Sequence, residues 1–267
     1  MDPLRRLAAD KAQIAATRAR VEIIAHRGSS HLAPENTLAS FRLGWQETTT
    51  CELDIRQTWD GRLLVIHDES TKRTTGVNYN VAEHSLAELQ KLDAGSLKEP
   101  KWKGEKLPSL EEVIAAMPAD KRLLIEVKNG PEVVPELVRV ICASGKESQL
   151  LIQSFAYAFC VEARKELPHV PIYLLIASRH NPLTGAWSPS IDEVLLKIEK
   201  AGLDGIGVDD TALVNGPAIQ RIHSAGLKIN IWTVDQVDGA KRLIDMGIDG
   251  LITNRPGWLK AQLAEAR

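Results

Sequence analysis

Short β-branched runs alternate with longer helical stretches from residue 21 onward, and no Gly-rich phosphate loop follows the first run. Removing one hairpin strand leaves eight parallel-strand candidates in about 250 residues, the size expected of a (β/α)8 barrel. These observations predict an α/β protein, a TIM-type (β/α)8 barrel with a loop-rich insertion after the second strand and an extra N-terminal helix. An open, doubly wound sheet is the rival. It usually carries a GxGxxG turn after its first strand, where this chain has His26-Arg27-Gly28.

In chain order, the strands are predicted at Val21–Ala25, Cys51–Gln57, Arg62–Ile66, Leu123–Val127, Leu150–Gln153, Ile172–Ile176, Gly205–Val208, Lys228–Thr233 and Gly250–Ile252. Near-continuous apolar runs such as Leu123-Leu124-Ile125 suit parallel strands, which are buried on both faces. The turn signal Asp60-Gly61 makes Arg62–Ile66 a hairpin partner of Cys51–Gln57 rather than a ninth barrel strand. Helices are predicted between them at Glu35–Trp45, Leu110–Ala116, Val133–Ala143, Tyr157–Glu166, Ile191–Lys200, Pro217–Ala225 and Gln236–Met246. Residues 68–108 break the rhythm with charge, Gly and Pro, and only Leu86–Leu92 reads as a short helix there. Such an excursion is expected to act as a lid or specificity element. Residues 178–190 form a second long loop, and residues 1–20 read as an added helical extension ahead of a barrel domain spanning 21–267.

Bulk properties narrow the function. Hydrophobic residues make up 44% and charged residues 25% of the 267, the balance of an ordinary globular protein. A net charge of -2 gives no electrostatic basis for nucleic acid as partner. No apolar run approaches the ~18–20 residues of a membrane span. Cys51, Cys142 and Cys160 cannot all pair and are expected to be buried small apolar residues, without a disulfide framework. Residues 1–20 lack the uninterrupted apolar stretch of a secretory signal, so the cytoplasm is the default compartment. Export is the alternative, if a leader has been removed. Oligomeric state is not legible.

In a TIM-type barrel, reactive side chains project from the C-terminal ends of the strands. Polar residues at those ends are therefore the informative ones. His26 and Arg27 follow the first strand directly. Glu52 and Asp54 lie two apart in an apolar strand and so share one face, as do Glu126 and Lys128. His67 and Asp68 end the hairpin strand. Buried carboxylates side by side are costly unless a cation or proton compensates. An oxygen-only set favours Mg2+ or Ca2+ over zinc. Arg27 and Lys128 then suggest an anionic substrate, most simply a phosphate, and two histidines could divide proton transfer. Singly, each has a plain structural role: a hydrogen-bonding His, an edge-strand Glu-x-Asp, an ordinary Glu–Lys pair. Their co-occurrence at four strand ends is what points to chemistry.

The stretch His26-Arg27-Gly28 … Pro34-Glu35-Asn36-Thr37 … Phe41, then Glu52-Leu53-Asp54-Ile55 … Asp60-Gly61 … Val65-Ile66-His67-Asp68 … Arg73-Thr74-Thr75-Gly76, resembles the glycerophosphodiester phosphodiesterase family. Glu126-Val127-Lys128, Gln153-Ser154-Phe155, Ile231-Trp232-Thr233-Val234 and Gly247–Pro256 extend the resemblance over roughly residues 21–258. It implies Glu52, Asp54 and Glu126 as metal ligands, His26 and His67 as the acid–base pair, and Arg27 and Lys128 on the phosphate. The small-molecule phosphodiester would yield glycerol 3-phosphate and an alcohol. Lysophospholipid cleavage on the same barrel, of phospholipase D or lyase type, is the alternative.

Pro34 to Thr37 can simply start a helix, while the resemblance adds a role for Glu35 and Asn36 in orienting the metal ligands or His26. Trp232, and less clearly Gln153, could line the pocket or fill the core. Three departures from the family pattern are Thr48 to Cys51, Trp59, and Asn254 where Asp is usual. They are expected to bear on loop packing and substrate choice.

Overall fold

Eight parallel strands close on themselves in the computed structural model, which describes residues 21–184, 187–210 and 214–265. The barrel strands are β1 (Glu22–Ala25), β2 (Thr50–Gln57), β4 (Arg122–Val127), β5 (Leu150–Ser154), β6 (Ile172–Ile176), β9 (Gly205–Asp209), β10 (Lys228–Trp232) and β11 (Gly250–Thr253). Each pairs in parallel with its two neighbours, and the β1–β2 and β1–β11 ladders complete the ring. β3 (Leu63–Val65) runs antiparallel to β2, as the Asp60-Gly61 turn predicts, and stays outside the ring. A two-residue hairpin, β7 (Arg179–His180) with β8 (Trp187–Ser188), lies in the 178–190 stretch read from sequence as loop.

Alternation along the strands sorts the side chains. Leu53, Ile55, Ile125, Ile152, Ile206 and Ile231 face outward into the main apolar layer beneath the helices. Ile24, Leu124 and Ile252 pack against each other in the interior, with Leu151 and Trp232 beside them. Glu52, Asp54, Glu126 and Gln153 occupy the inward parity on β2, β4 and β5 and are all buried. Burying an outward Leu or Phe contributes roughly 1.5–3 kcal/mol each, so the helix layer carries the stability while the interior carries the polar groups.

The helices are α1 (Leu38–Glu47), α2 (Lys72–Thr75), α3 (Leu86–Leu89), α4 (Leu110–Ala116), α5 (Val134–Ser144), α6 (Tyr157–Glu166), α7 (Ile191–Ala201), α8 (Gly216–Ser224), α9 (Val237–Met246) and α10 (Pro256–Glu265). Helix α1 starts three residues later than the sequence suggests. Thr37 is its N-cap, reciprocally bonded with Ser40, while Asn36 adopts a left-handed φ of 57° that a helix cannot contain. Pro34 and Glu35 therefore belong to the turn leading into the helix. Residues 68–108 carry α2, α3 and two short 3-10 turns over a separate small core of Leu64, Ile66, Val81, Leu89, Ala94 and Leu107. All three cysteines are free, but Cys142 is exposed on α5 rather than buried, because it follows the buried Ile141 around the helix. The expected helix at 1–20 lies outside the described residues. Among the described residues, no helix is long and apolar enough to cross a membrane.

The turn after β1 depends on Gly28. Its φ is 77°, and a Cβ there would stand 2.5 Å from the Ser40 backbone. Gly226 has the same φ sign with open space around it. Gly28→Ala should therefore lower the melting temperature clearly more than Gly226→Ala, which should cost only about 1 kcal/mol of backbone strain. Equal losses in thermal denaturation would contradict the steric account.

Candidate active site

Strand geometry brings the sequence-predicted groups together at the C-terminal end of the barrel. One cavity of about 130 Å³ is lined by His26, Arg27, Glu52, His67, Glu126, Lys128, Gln153, Phe155, Trp232, Thr233 and Ile252. Asp54 lies beside Glu126 in the β2–β4 register, and Glu126 beside Gln153 in the β4–β5 register. Carboxylate oxygens of Glu52, Asp54 and Glu126 all lie within 4.8 Å of one another. Glu52 Oε1 is buried without a hydrogen-bond partner. An orphaned carboxylate oxygen in an oxygen-only cluster is what a hard divalent cation would complete, so these residues fit one.

The local backbone is shaped around these acids. Arg27 takes a left-handed φ of 55°, which turns its N–H onto Glu52 Oε2 at 3.0 Å. Asn36, left-handed too, donates Nδ2–H to Asp54 Oδ2 at 2.9 Å and accepts from the Asp54 N–H at 3.3 Å. Non-Gly residues rarely adopt this conformation, and here two of them are held by bonds to the buried acids. Arg27 Nε lies 3.2 Å from Asp54 Oδ2, while Lys128 lies 2.9 Å from Asp54 Oδ1 and also bonds Glu126 Oε1.

Glu35 does not touch an acid of the cluster or His26. It accepts from Arg27 Nη1 at 2.9 Å and from both terminal nitrogens of Arg73 on α2, at 2.6 and 2.7 Å. Arg73 Nε also donates to Asp68 Oδ2 at 2.6 Å, and the other Asp68 oxygen is 2.7 Å from His67 Nδ1. The chain Arg27–Glu35–Arg73–Asp68–His67 thus spans the rim between β1 and β3. Arg73 and Asp68 stood in the sequence motif with no role attached. Their signal was the pairing of an acid beside His67 with an arginine one helical turn further on.

Electrostatics follow from burial and charge count. Burial pushes the Glu52 carboxyl well above its ordinary value, and the charges of Asp54 and Glu126 push the same way. Glu126 is pushed up to about 7 by burial and the Asp54 charge, against the pull of Lys128. Burial raises Asp54 too, but Lys128 and Arg27 outweigh it and hold that carboxyl below its usual range. His26 is brought down to about 4 by burial and the Arg27 charge. His67 is lowered by burial, with Asp54 and Asp68 pulling the other way. Without a cation, the two fixed positive charges favour an ionised Asp54, and burial favours the neutral form of both imidazoles.

Trp232 and Gln153 both line the cavity, and Trp232 also packs against the interior cluster of Ile24, Leu124 and Ile252. Gln153 Oε1 is buried and has no partner. Phe155, two residues beyond Gln153, meets Trp232 edge-on with ring centroids 5.7 Å apart, a wall the sequence reading left without a role. Asn254 is not a mere loop-packing departure: its Oδ1 lies 2.7 Å from His26 Nδ1. Trp59, by contrast, is 73% exposed and does not line the cavity.

A barrel whose strand ends gather three acids, two histidines and two fixed cations belongs to the class of barrel hydrolases that act on anionic esters. Residues 26–258 match the glycerophosphoryl diester phosphodiesterase family, and the chain belongs to that family. A putative glycerophosphodiester phosphodiesterase of Bacillus subtilis is 34% identical over 241 residues, covering 89% of this chain and 96% of the relative. A glycerophosphodiester phosphodiesterase of Caldanaerobacter subterraneus is 34% identical over 244 residues, covering 89% and 95%. Among solved structures, an Oleispira antarctica phosphodiesterase in complex with the product sn-glycerol-3-phosphate superposes with a TM-score of 0.81 at 27% identity, covering 91% of this chain and 96% of that one. The chain is therefore an enzyme of the glycerophosphodiester phosphodiesterase family.

The raised Glu52 carboxyl has a consequence for stability. The folded state keeps a proton that the unfolded state loses above about pH 4.3, the ordinary glutamate value. Stability of the cation-free protein is therefore eroded as pH rises from there through the folded value. Glu52→Gln removes this cost, so its gain in melting temperature in the presence of a chelator should be larger at pH 8 than at pH 5. A gain that is flat or reversed with pH would contradict the assignment.

Proposed function

We propose that this chain hydrolyses glycerophosphodiesters to glycerol 3-phosphate and an alcohol, with His26 and His67 transferring protons and Glu52, Asp54 and Glu126 holding a divalent cation. The observation that carries the reading is the convergence of His26, His67, Glu52 and Glu126 on one cavity, with Asp54 clustered beside the two glutamates and one buried Glu52 oxygen left without a partner. The oxygen-only donor set favours Mg2+ or Ca2+. When bound, the cation would withdraw charge from the phosphoryl oxygens.

The chain's own residues supply the rest. Arg27 and Lys128 set two fixed, largely buried positive charges against the phosphate, where such charges act more strongly than in open water. Arg27 is aimed by Glu35, and Glu35 by Arg73, so the guanidinium is held before substrate arrives. Each histidine has its Nδ1 engaged, by Asn254 at His26 and by Asp68 at His67, which leaves each Nε2 to exchange a proton with the attacking or leaving oxygen. Gln153 offers an unpaired carbonyl oxygen to a substrate hydroxyl, and Phe155 with Trp232 offers an apolar wall to the glycerol or head-group carbons. Residues 21–267 act as one catalytic domain in this reading. The 68–108 insertion is its specificity element, tied to the β1 turn by Lys98 on the Ser30 carbonyl and by Arg73 on Glu35.

The test is release of glycerol 3-phosphate from glycerophosphocholine and glycerophosphoethanolamine, with Mg2+ or Ca2+ and with EDTA. Release should depend on the cation and fall at least ~100-fold in His26→Ala, the usual weight of a proton-transfer group. Release from neither ester by folded, cation-loaded protein would sink the substrate assignment, and turnover of lysophospholipids alone would replace it. Arg73→Leu touches neither cavity nor cluster, yet it should lower kcat/KM by about 10–100-fold through the loosened Glu35 and Asp68. An unchanged value would reduce the Arg73 network to surface pairing.

A further inference from the structure

The fork of bonds behind His26 has only one consistent pattern of protons. Asp235, on the turn after β10, is a carboxylate and can only accept. Its Oδ1 takes the Asn254 backbone N–H at 2.8 Å and the Thr253 hydroxyl at 2.8 Å, and its Oδ2 takes Asn254 Nδ2–H at 2.6 Å. The Asn254 amide is therefore oriented by an acceptor on its nitrogen side, and its Oδ1 must face the other way. There it accepts from the Ser30 hydroxyl at 2.9 Å and meets His26 Nδ1 at 2.7 Å. An amide oxygen has no proton to give, so Nδ1 carries the hydrogen and Nε2 the lone pair. Nε2 points to the cavity side, 4.0 Å from Glu52 Oε2.

We propose that Asn254, locked by Asp235, is a positioning residue that fixes the Nδ1–H tautomer of His26 and presents its Nε2 lone pair to the substrate. This rests on the reading of His26 as a proton-transfer group. The two residues work as a pair. With Asp235 in place, an Asp at 254 would set two carboxylates 2.6 Å apart, whereas an amide bridges an acceptor on one side and a donor on the other. His67 reaches the same tautomer by another route, since Asp68 accepts from its Nδ1 directly and Arg73 steadies Asp68. The amide holds His26 with a dipole, and the carboxylate holds His67 with a charge.

The test uses full-length protein with 15N-labelled histidine, reading the ring nitrogens by NMR alongside kcat and KM on glycerophosphocholine. Wild type should show His26 protonated at Nδ1. Asp235→Asn places a donor against Asn254 Nδ2, so the Asn254 amide turns over, the His26 proton moves to Nε2, and kcat falls at least ~100-fold with KM within about threefold. The exchange variant Asp235→Asn with Asn254→Asp restores the donor–acceptor order and should recover the Nδ1–H tautomer and kcat to within about tenfold. Asn254→Leu, checked for folding by circular dichroism, should lose the fixed tautomer and the rate together. Single variants that keep tautomer and kcat overturn the proposal, as does a rate loss with the tautomer unchanged or an exchange variant that recovers neither. Wild-type protein that turns over no phosphodiester defeats the proposed function, while the NMR readout still decides the tautomer.

Discussion

Three carboxylates buried inside one barrel are the constraint around which the rest of this structure is arranged. Moving an ionised carboxylate out of water costs several kcal/mol even after relaxation, and three together multiply the cost. The chain answers with Arg27 and Lys128, two fixed cations that reach Asp54 from opposite sides, one from the β1 turn and one from the end of β4. Reaching Glu52 and Asp54 from the β1 turn forces the backbone of Arg27 and Asn36 into left-handed conformations, and the tight turn forces a glycine between the Arg27 peptide and Ser40. Local propensity is overridden at these positions because each strained residue bonds a buried acid.

The same constraint explains why the rim is layered. A guanidinium that must stay on Asp54 needs its own orientation fixed, and Glu35 does this. Glu35 would be drawn wholly to Arg27 if it had no other partner, and Arg73 holds it from the solvent side with two bonds. Because Arg73 stands on the insertion and also holds Asp68, the orientation of His67 and that of Arg27 are tied to one side chain outside the barrel. The insertion in turn has its own apolar core over β3, so Arg73 is presented from a packed unit rather than from a free loop.

What the sequence makes legible divides along the same line. All eight barrel strands and the hairpin strand were found within a residue or so, because strands buried on both faces write themselves as apolar runs. The acids, both histidines, Arg27 and Lys128 are legible as a group because they co-occur at strand ends, although each alone has a plain structural role. Helix α1 was begun too early, since a left-handed Asn36 leaves no mark in periodicity. Helix α10 leaves little trace in the sequence, because its apolar residues show almost no one-sided pattern. Residue type alone predicts a buried Cys142, while its phase on the helix leaves it exposed. Asp235 and Phe155 act through contacts between residues distant in sequence, which a single chain read in order does not reveal, and Arg73 reaches Glu35 across 38 positions. Asn254 was noticed only as a departure, because its contact with His26 spans 228 positions.

The two ends of the barrel show why the site lies where it does. At the N-terminal end a second cavity, of about 200 Å³, is lined by Glu22, Arg122, Tyr173, Lys228, Asn230 and Asp249 among others. There Glu22 pairs with Arg122 and Lys228 with Asp249 at 2.7 Å, so each acid has a base and nothing further is demanded. At the C-terminal end three acids face two bases, the carboxyls of Glu52 and Glu126 are driven up, and one Glu52 oxygen stays without a partner. Both ends are concave and polar, and by size alone the wrong one would be chosen. The imbalance of charge, not the volume of the cavity, separates the end that must bind something from the end that only closes the barrel.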